Sequence, residues 1–394
     1  MNTIQQTHAI IRAQAHPFTA VDCDIDHLDR HVLDEDIFAD RDYPPFDRVA
    51  MDGIALRYTD WQSGTRRFRI KSEVFAGDRA TGEIGAGECF VIMTGAACPV
   101  SADTVIRKED LVYHGEMVEV TSAALKPYQN IAKKAEDCSK GERILPRGRL
   151  CGPSVVALLA ALGKPSVRVS KMPSTAIVTT GSEIVGVENK VRRFQIRNSN
   201  GHLLVSMLKK WNITPEYKIH VKDSKKALFS ALEEALKSEL VLINGGISAG
   251  DADYVLEMLQ ALDVEILVSR VAIKPGKPFT LGRSKNGTLV FALPGNPLSC
   301  MVTFILFVEN YLQACSGILP ERCNLASVNF HRKNNSGFDE FFPVRDNPNG
   351  IGLELMQYNG SGDITAGLEA SGFGWHPREL SDLHPGQQIS YIPY

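Results

Sequence analysis

The residues best suited to chemistry stand in short turns marked by glycine and proline. Lys274-Pro275-Gly276-Lys277-Pro278 sets two ammonium groups three positions apart on a loop that its prolines stiffen. Two such charges converge on a compact dianion better than on a duplex; the plain alternative is a solvated turn with two surface lysines. Asn244-Gly245-Gly246-Ile247-Ser248-Ala249-Gly250-Asp251-Ala252-Asp253 offers a second site. Its glycines permit a tight turn whose N–H groups face an oxyanion, and a following helix adds partial positive charge. The alternative there is a glycine turn capped by Asp251 or Asp253. Leu293-Pro294-Gly295-Asn296-Pro297-Leu298-Ser299 has Pro297 suited to a first helical turn, with Asn296 and Ser299 either meeting a ligand or capping the helix. Val49-Ala50-Met51-Asp52-Gly53, Met93-Thr94-Gly95-Ala96 and Thr179-Thr180-Gly181-Ser182-Glu183 add acids and hydroxyls that are turn formers by default. Together the loops suit phosphate or another tetrahedral oxyanion, and Asp52, Glu183 and Asp253 suit a divalent metal linking two anions. There is no P-loop lysine motif and no G-x-G-x-x-G, so ATP or NAD sites of the common kinds find no support.

Gly246-x-Ser248-x-Gly250 also fits the nucleophile elbow of a serine hydrolase. That reading needs an acid and then a histidine later in the chain. His331, His376 and His384 follow, all in a strand-like C-terminal region, and two aspartates beside Ser248 would oppose an oxyanion there.

The elements that must position these turns follow from periodicity. Ala176–Thr180, Tyr217–Val221, Leu240–Ile243, Val264–Val268 and Leu289–Leu293 read as strands. Helical spacing falls between them at Leu203 to Trp211, Ala227 to Leu236 and Val255 to Leu262, and again after them at Leu298 to Cys315. Alternation of this kind predicts a three-layer α/β domain with a mostly parallel sheet over 171–317, whose ligands bind in loops at the strand ends. Residues 18–137 read as a β-rich inserted domain and 318–394 as a small C-terminal β-barrel-like module with strands at Ala326–Phe330, Phe341–Arg345, Gly352–Met356 and Ile389–Ile392. Residues 1–17 form a helical arm, grouped with 138–170 as an elongated linker or dimerisation domain, in which Ser154–Leu162 is helical.

The 394 residues are enough for two to four domains, and a hydrophobic share of 44% with 23% charged excludes a disordered chain. Lys+Arg 43 against Asp+Glu 46 gives a net charge of -3 and no support for a general nucleic-acid binder. The most apolar C-terminal stretch, Cys300–Val308, is too short for a bilayer, and Met1–Pro17 lacks an apolar core, so neither a membrane span nor a secretion signal is expected. The 8 cysteines form no C-x-x-C pair, which favours reduced thiols in a cytoplasmic protein over a zinc or redox site.

The ordered set of motifs resembles the MoeA/gephyrin-type molybdopterin molybdenumtransferases. The resemblance rests on Ala50 to Gly53, Met93 to Ala96, Ser101 to Asp103, Thr180 to Glu183, Gln195 to Asn200, Gly245 to Tyr254, Lys274 to Pro278 and Leu293 to Ser299. It spans nearly the whole chain, and the set is specific where each motif alone is weak. It implies a homodimer with a cleft between the α/β domain of one subunit and the β domain of the other. It implies insertion of molybdate into adenylylated molybdopterin with Mg²⁺, releasing AMP and molybdenum cofactor. An adenylyltransferase partner and molybdoenzyme acceptors belong to the same picture; nucleic acid and membrane do not. By resemblance, Lys274, Lys277 and Pro278 face molybdate, with Ser248 and Ser299 as donors and Arg345 and Ser361 contributed by the C-terminal module. Thr94, Gly181, Glu183, Asp223, Gly245, Gly246, Gly250, Pro294, Gly295 and Asn296 resemble pterin or nucleotide contacts. Asp52, Glu183 and Asp253 resemble metal ligands, and Asp52, Lys274, Lys277 and Asp253 the catalytic set. Departures from the family pattern are Val49 for Ser, Ile54 for Tyr, Ser182 for Asp, Asn244 for Thr or Ser, and Ser371 for Asn. Phe338 stands where a Gly-Arg pair would place Arg, which shifts the cationic burden to Arg345. Two competing functions are a non-catalytic molybdopterin-binding scaffold and the Ser248 hydrolase.

Overall fold

The structure, a computed structural model, describes residues 1–78, 80–247, 254–318 and 324–393. The chain divides into two compact units: Met1–Glu35 with Arg147–Ala157 and Pro165–Tyr394, and Asp36–Pro146 with Leu158–Lys164.

The first unit is built on a six-stranded sheet ordered Tyr217–Val221, Thr175–Thr180, Leu240–Asn244, Leu289–Leu293, Thr280–Arg283, Glu265–Ser269. Its first four strands are parallel, and the last two join antiparallel. Every residue of Leu240–Asn244 and Leu289–Leu293 is buried, as expected when helices cover both faces. Alternate side chains serve opposite cores. Ile177, Leu240 and Leu242 pack with Leu204, Leu208 and Phe304, whereas Val178, Val241 and Ile243 pack with Leu228, Leu232 and Leu259. The parallel strands and their helices follow the predicted alternation. The strand Thr280–Arg283 was not anticipated, because its Thr-Leu-Gly-Arg sequence carries a glycine and only one strong strand former.

Register decides where the loops go. Asn244 lies opposite Thr179 on one side and Leu293 on the other, and Thr180 lies opposite Val221. The carboxyl ends of four strands are therefore level, and the turns at Gly181, Asp223, Gly245 and Pro294 emerge side by side.

The N-terminal arm is a helix, Ile4–Gln14, started by a capping box between Thr3 and Gln6. Ile4 and Ile11 are buried in the same core as Phe279 and Phe307. Helical structure runs without a break from Pro297 to Ser316, with a π-turn at Phe304–Val308. This run is long and apolar enough by length and composition to cross a bilayer, but 72% of its most apolar window is buried inside the protein, as in a core helix. The C-terminal sheet contains Asn324–Ser327, Asp339–Asp346, Leu353–Leu355, Gly372–His376 and Gln388–Pro393. It also takes an edge strand, Ile273–Lys274, from the start of the lysine loop. The strand expected at Ala326–Phe330 ends at Ser327, beyond which Val328 makes a single bridge to Leu353.

The second unit carries a six-stranded sheet ordered Thr104–Arg107, Gly53–Leu56, Glu88–Ile92, Arg67–Val74, Met117–Val120, Leu111–His114. Gly53 lies against the neighbouring backbone so closely that a Cβ would stand 1.7 Å from Ile106 O, which fixes glycine after Asp52.

Candidate functional site

The level strand ends of the first unit open into a cavity of about 680 Å³. The turns after the parallel strands supply Gly181, Glu183, Asp223, Gly245, Gly246, Pro294, Gly295 and Asn296. The lysine loop supplies Lys274 through Pro278, the helix after Pro297 supplies Ser299, and the C-terminal module supplies Arg332, Phe338, Glu340, Tyr358, Gly360 and Ser361. Turns as far apart in sequence as Gly181 and Ser361 thus meet at one place, as ligands of open α/β sheets require.

The glycine turn is possible only with glycine. Gly245 has φ +94°, and a Cβ there would lie 2.6 Å from Thr180 O. The turn is braced from below by buried amides. Asn200 Nδ2 donates to Asn244 Oδ1 at 2.9 Å and to Gly295 O at 2.6 Å, and Asn244 Nδ2 donates to Pro294 O at 2.8 Å. Asn244, a departure from the family pattern, thereby ties the glycine turn to the Pro294–Asn296 turn. Asn296 occupies the N-cap position of the following helix, but its side chain makes no cap hydrogen bond and instead donates to Ser361 Oγ at 2.8 Å.

The lysine loop is pinned at Gly276, whose φ is +116° and whose Cβ would meet Thr303 Cγ2 at 2.7 Å. Lys274 and Lys277 are both exposed, and Lys277 Nζ sits 5.3 Å from the centre of the Phe338 ring. Lys274 Nζ lies 3.5 Å from Glu340 Oε1. Burial would raise the Glu340 pKa, but hydrogen bonds from Ser336 and Arg332 and the charges of Arg332 and Lys274 outweigh it, so this carboxyl stays below its ordinary value.

The cavity carries charge on two sides, and the cationic side includes the paired carboxylate of Glu340. Glu183 and Asp223 follow the first two strands of the sheet order, while Lys274, Lys277 and Arg332 stand on the lysine loop and the C-terminal module. Asp223 accepts from Thr180 Oγ1 at 2.9 Å and from Ser182 N at 2.8 Å. Ser182 donates to the Asp223 carboxylate through its backbone N–H. Its own hydroxyl accepts from Asp223 N at 3.1 Å.

Most residues predicted from sequence therefore line one cavity: Gly181, Glu183, Asp223, Gly245, Gly246, Lys274, Lys277, Pro278, Pro294, Gly295, Asn296, Ser299 and Ser361. Ser248, Gly250 and Asp253 lie outside the described residues. Asp52 and Thr94 belong to the second unit, where Asp52 Oδ1 accepts from Thr94 N at 2.8 Å and Thr94 Oγ1 at 2.7 Å. Those bonds, the backbone one first, hold the Asp52 pKa below the usual carboxylate value. Arg345 is not brought to the cavity. Its guanidinium pairs with Glu354 at 3.0 Å and Glu369 at 3.5 Å, because position 345 lies further along the strand than Glu340. Sequence reading missed Arg332, Glu340 and Tyr358; no motif flags them, and it is strand register that brings Glu340 to Lys274 and a side-chain ion pair that brings Arg332 to Glu340. Among the described residues no group of three or more His, Cys, Asp or Glu side chains could hold a metal ion.

Comparison with known proteins agrees with this geometry. Residues 2–163 match a family model described as the MoeA N-terminal region (domain I and II), and residues 176–314 match a probable molybdopterin binding domain. A molybdopterin molybdenumtransferase of Staphylococcus aureus (strain Mu50) is 35% identical over 73% of this chain and 70% of its own length. One from Staphylococcus epidermidis (strain ATCC 35984) is 32% identical over 76% of this chain and 73% of its own. The crystal structure of a molybdopterin biosynthesis moeA protein from Pyrococcus horikoshii OT3 superposes with a TM-score of 0.83, at 26% identity and full coverage of both chains. A cavity at level strand ends, lined by the lysine, glycine and proline motifs in their expected order, and relatives that match across most of the chain lead to one assignment: the chain belongs to the MoeA-type molybdopterin molybdenumtransferase family.

Proposed function

We propose that this chain inserts molybdenum from molybdate into adenylylated molybdopterin, releasing AMP and molybdenum cofactor. The observation that carries the reading is the convergence of Lys274, Lys277 and Ser299 with the glycine turns at Gly245 and Gly295 on one cavity. Molybdate is a compact tetrahedral dianion. Each charge-assisted hydrogen bond from a lysine contributes on the order of 1.5–3 kcal/mol. Lys274 and Lys277 hold the oxyanion, Ser299 and Ser361 donate hydroxyl hydrogens to it, and Ser248 belongs to the same set by the family resemblance. The strand-end glycines let backbone N–H groups approach the phosphates of the nucleotide. Glu183 and Asp223 stand on other turns than the lysines, and the Glu340 carboxylate is neutralised by its pairs with Lys274 and Arg332.

Mg²⁺ fits this chemistry, since it takes one or two carboxylates together with substrate phosphates, and the cavity offers Glu183 and Asp223 on its acidic side. Glu183 would hold it, with Asp253 by the family resemblance. When bound it neutralises charge on the phosphoanhydride. The chain's own residues orient the two substrates so that the dithiolene sulfurs face molybdenum as AMP departs. The active form in this reading is a homodimer.

The test is to mix the purified protein with adenylylated molybdopterin, molybdate and Mg²⁺. AMP and active cofactor should appear together and in equal amounts. AMP without cofactor, or neither product, would contradict the reading. A hydrolase acting through Ser248 predicts loss of all activity in Ser248→Ala, whereas the anion-donor role predicts a partial loss of affinity.

A further inference from the structure

The wall of the cavity opposite the glycine turns contains a cluster of charges that no sequence motif announces. Strand register generates it. Lys274 lies opposite Glu340, and Glu340 lies opposite His376, so three strands align three polar residues in a row. Arg332 reaches this row from a separate short strand, Arg332–Lys333. Its Nη2 donates to Glu340 Oε2, and its Nη1 lies 3.1 Å from His376 Nδ1. Its guanidinium carbon sits 4.2 Å from the centre of the Phe342 ring. The Arg332 side chain is only 16% exposed and that of Glu340 6%, yet both line the cavity, while the Lys274 side chain is 65% exposed.

The hydrogen-bond roles in this cluster follow from chemistry. A guanidinium only donates, so the His376 Nδ1 facing it must accept, and the imidazole is neutral with its proton on Nε2. Burial first, then the charge of Arg332, push the His376 pKa below its ordinary value. His376 is fully buried. Glu340 and His376 engage two of the five guanidinium N–H groups, which leaves donors for a ligand. Arg345, by contrast, is spent on Glu354 and Glu369. Phe338 faces Lys277 with an aromatic ring and brings no charge of its own.

We propose that Arg332 is the third cationic contact of the oxyanion in this chain, beside Lys274 and Lys277. Glu340 and His376 are positioning residues that fix the guanidinium at the cavity wall. The inference rests on the molybdate-binding reading above. Arg332 brings what an ammonium cannot, a planar fork of fixed donors that discriminates a tetrahedral oxyanion by geometry. Its pairing with Glu340 keeps it ordered before the anion arrives, and Lys274 shares the same carboxylate, so anion binding redistributes both cations.

The experiment is calorimetric titration with sodium molybdate alone, together with the molybdate KM and kcat of cofactor formation. The proteins are wild type, Arg332→Gln, Arg332→Lys, Glu340→Gln, Arg332→Gln/Glu340→Gln and Lys277→Ala, with circular dichroism as the check on folding. Arg332→Gln should weaken molybdate binding about tenfold or more and raise KM with a smaller change in kcat, and Arg332→Lys should recover only part. The double variant decides the role. If Arg332 merely neutralises Glu340, removing both charges restores wild-type affinity, and the proposal is overturned. If Arg332 contacts the anion, the double variant stays weak. Should Arg332→Gln fail to fold, the folded double variant still gives the answer. Weak binding in Lys277→Ala with unchanged binding in the double variant defeats this inference alone; unchanged binding in both defeats the molybdate site itself.

Discussion

One wall of the cavity is built from backbone and the other from side-chain charge. At the strand ends, Gly245, Gly246 and Gly295 bring main chain to the surface, and the Asn200–Asn244 amides lock that main chain from behind. On the C-terminal module, Arg332 and Glu340 present charge from two separate sheets whose strands are already paired. The first wall is general, because amide donors suit any phosphate-like group. The second is selective, because its cations are fixed in number and direction. Lys274 belongs to both, as the last residue of a strand in the C-terminal sheet and the first of the lysine loop.

The largest effect expected on this contrast comes from its charged side. Lys277→Ala should reduce cofactor formation roughly 10- to 150-fold, the kinetic equivalent of about 1.5–3 kcal/mol for one charge-assisted contact, in steady-state assays. Its circular dichroism should be unchanged, because the side chain is exposed. An intact rate would remove the lysine loop from the account. Breaking the backbone wall should instead show first as instability. Asn244→Ala strips Pro294 O of its donor and leaves Asn200 Nδ2 with Gly295 O alone, which should cost about 1–3 kcal/mol in urea unfolding. If stability holds, the amide pair is not what fixes the turn.

Two smaller changes probe the loop at 359–365 that delivers Ser361. Ser361→Ala removes the acceptor of Asn296 Nδ2 and one hydroxyl from the cavity. A neutral hydrogen bond of about 0.5–1.5 kcal/mol predicts a twofold to tenfold rise in the molybdate KM with little change in kcat. Asp363 holds the same loop by accepting from Asn359 N and from Thr365 N and Oγ1. Those bonds, led by the one from Asn359, bring its pKa down to about 2. A carboxyl whose folded pKa lies below its unfolded value stabilises above the unfolded value, about 4, and loses that contribution as pH falls towards the folded one. Proteolysis of the loop should therefore rise between pH about 4 and about 2 in the wild type, whereas Asp363→Ala should be cleaved readily at every pH. Identical profiles would show that Asp363 does not order the loop.

The two walls also differ in how far sequence reveals them. The backbone wall was legible because glycine and proline have few local reasons to recur at strand ends. Gly245, Gly276 and Pro294 each mark a geometry that other residues resist, and the strand–helix alternation placed them at one sheet edge. The charged wall was not, because Lys274 and Glu340 meet only through strand pairing and Arg332 only through its side-chain contact with Glu340. Nothing near Arg332 distinguishes it from Arg345, and the two differ only in which strand position each occupies. The Thr280–Arg283 strand was hidden for a related reason: its residues are weak strand formers, and pairing with Leu289–Leu293 determines its state. Asn244 read as a departure from pattern, and its role became visible only with Asn200 opposite it.

The most direct test of the central claim is a titration of the wild-type protein and of Lys274→Ala/Lys277→Ala with molybdate, followed by calorimetry in the presence and absence of competing sulfate. Saturable binding to the wild type, weakened a hundredfold or more in the double variant, is the predicted result, taking on the order of 1.5 kcal/mol or more for each lost contact. Equal affinity in the two proteins would contradict the account, since the anion would then be held by something other than the lysine loop.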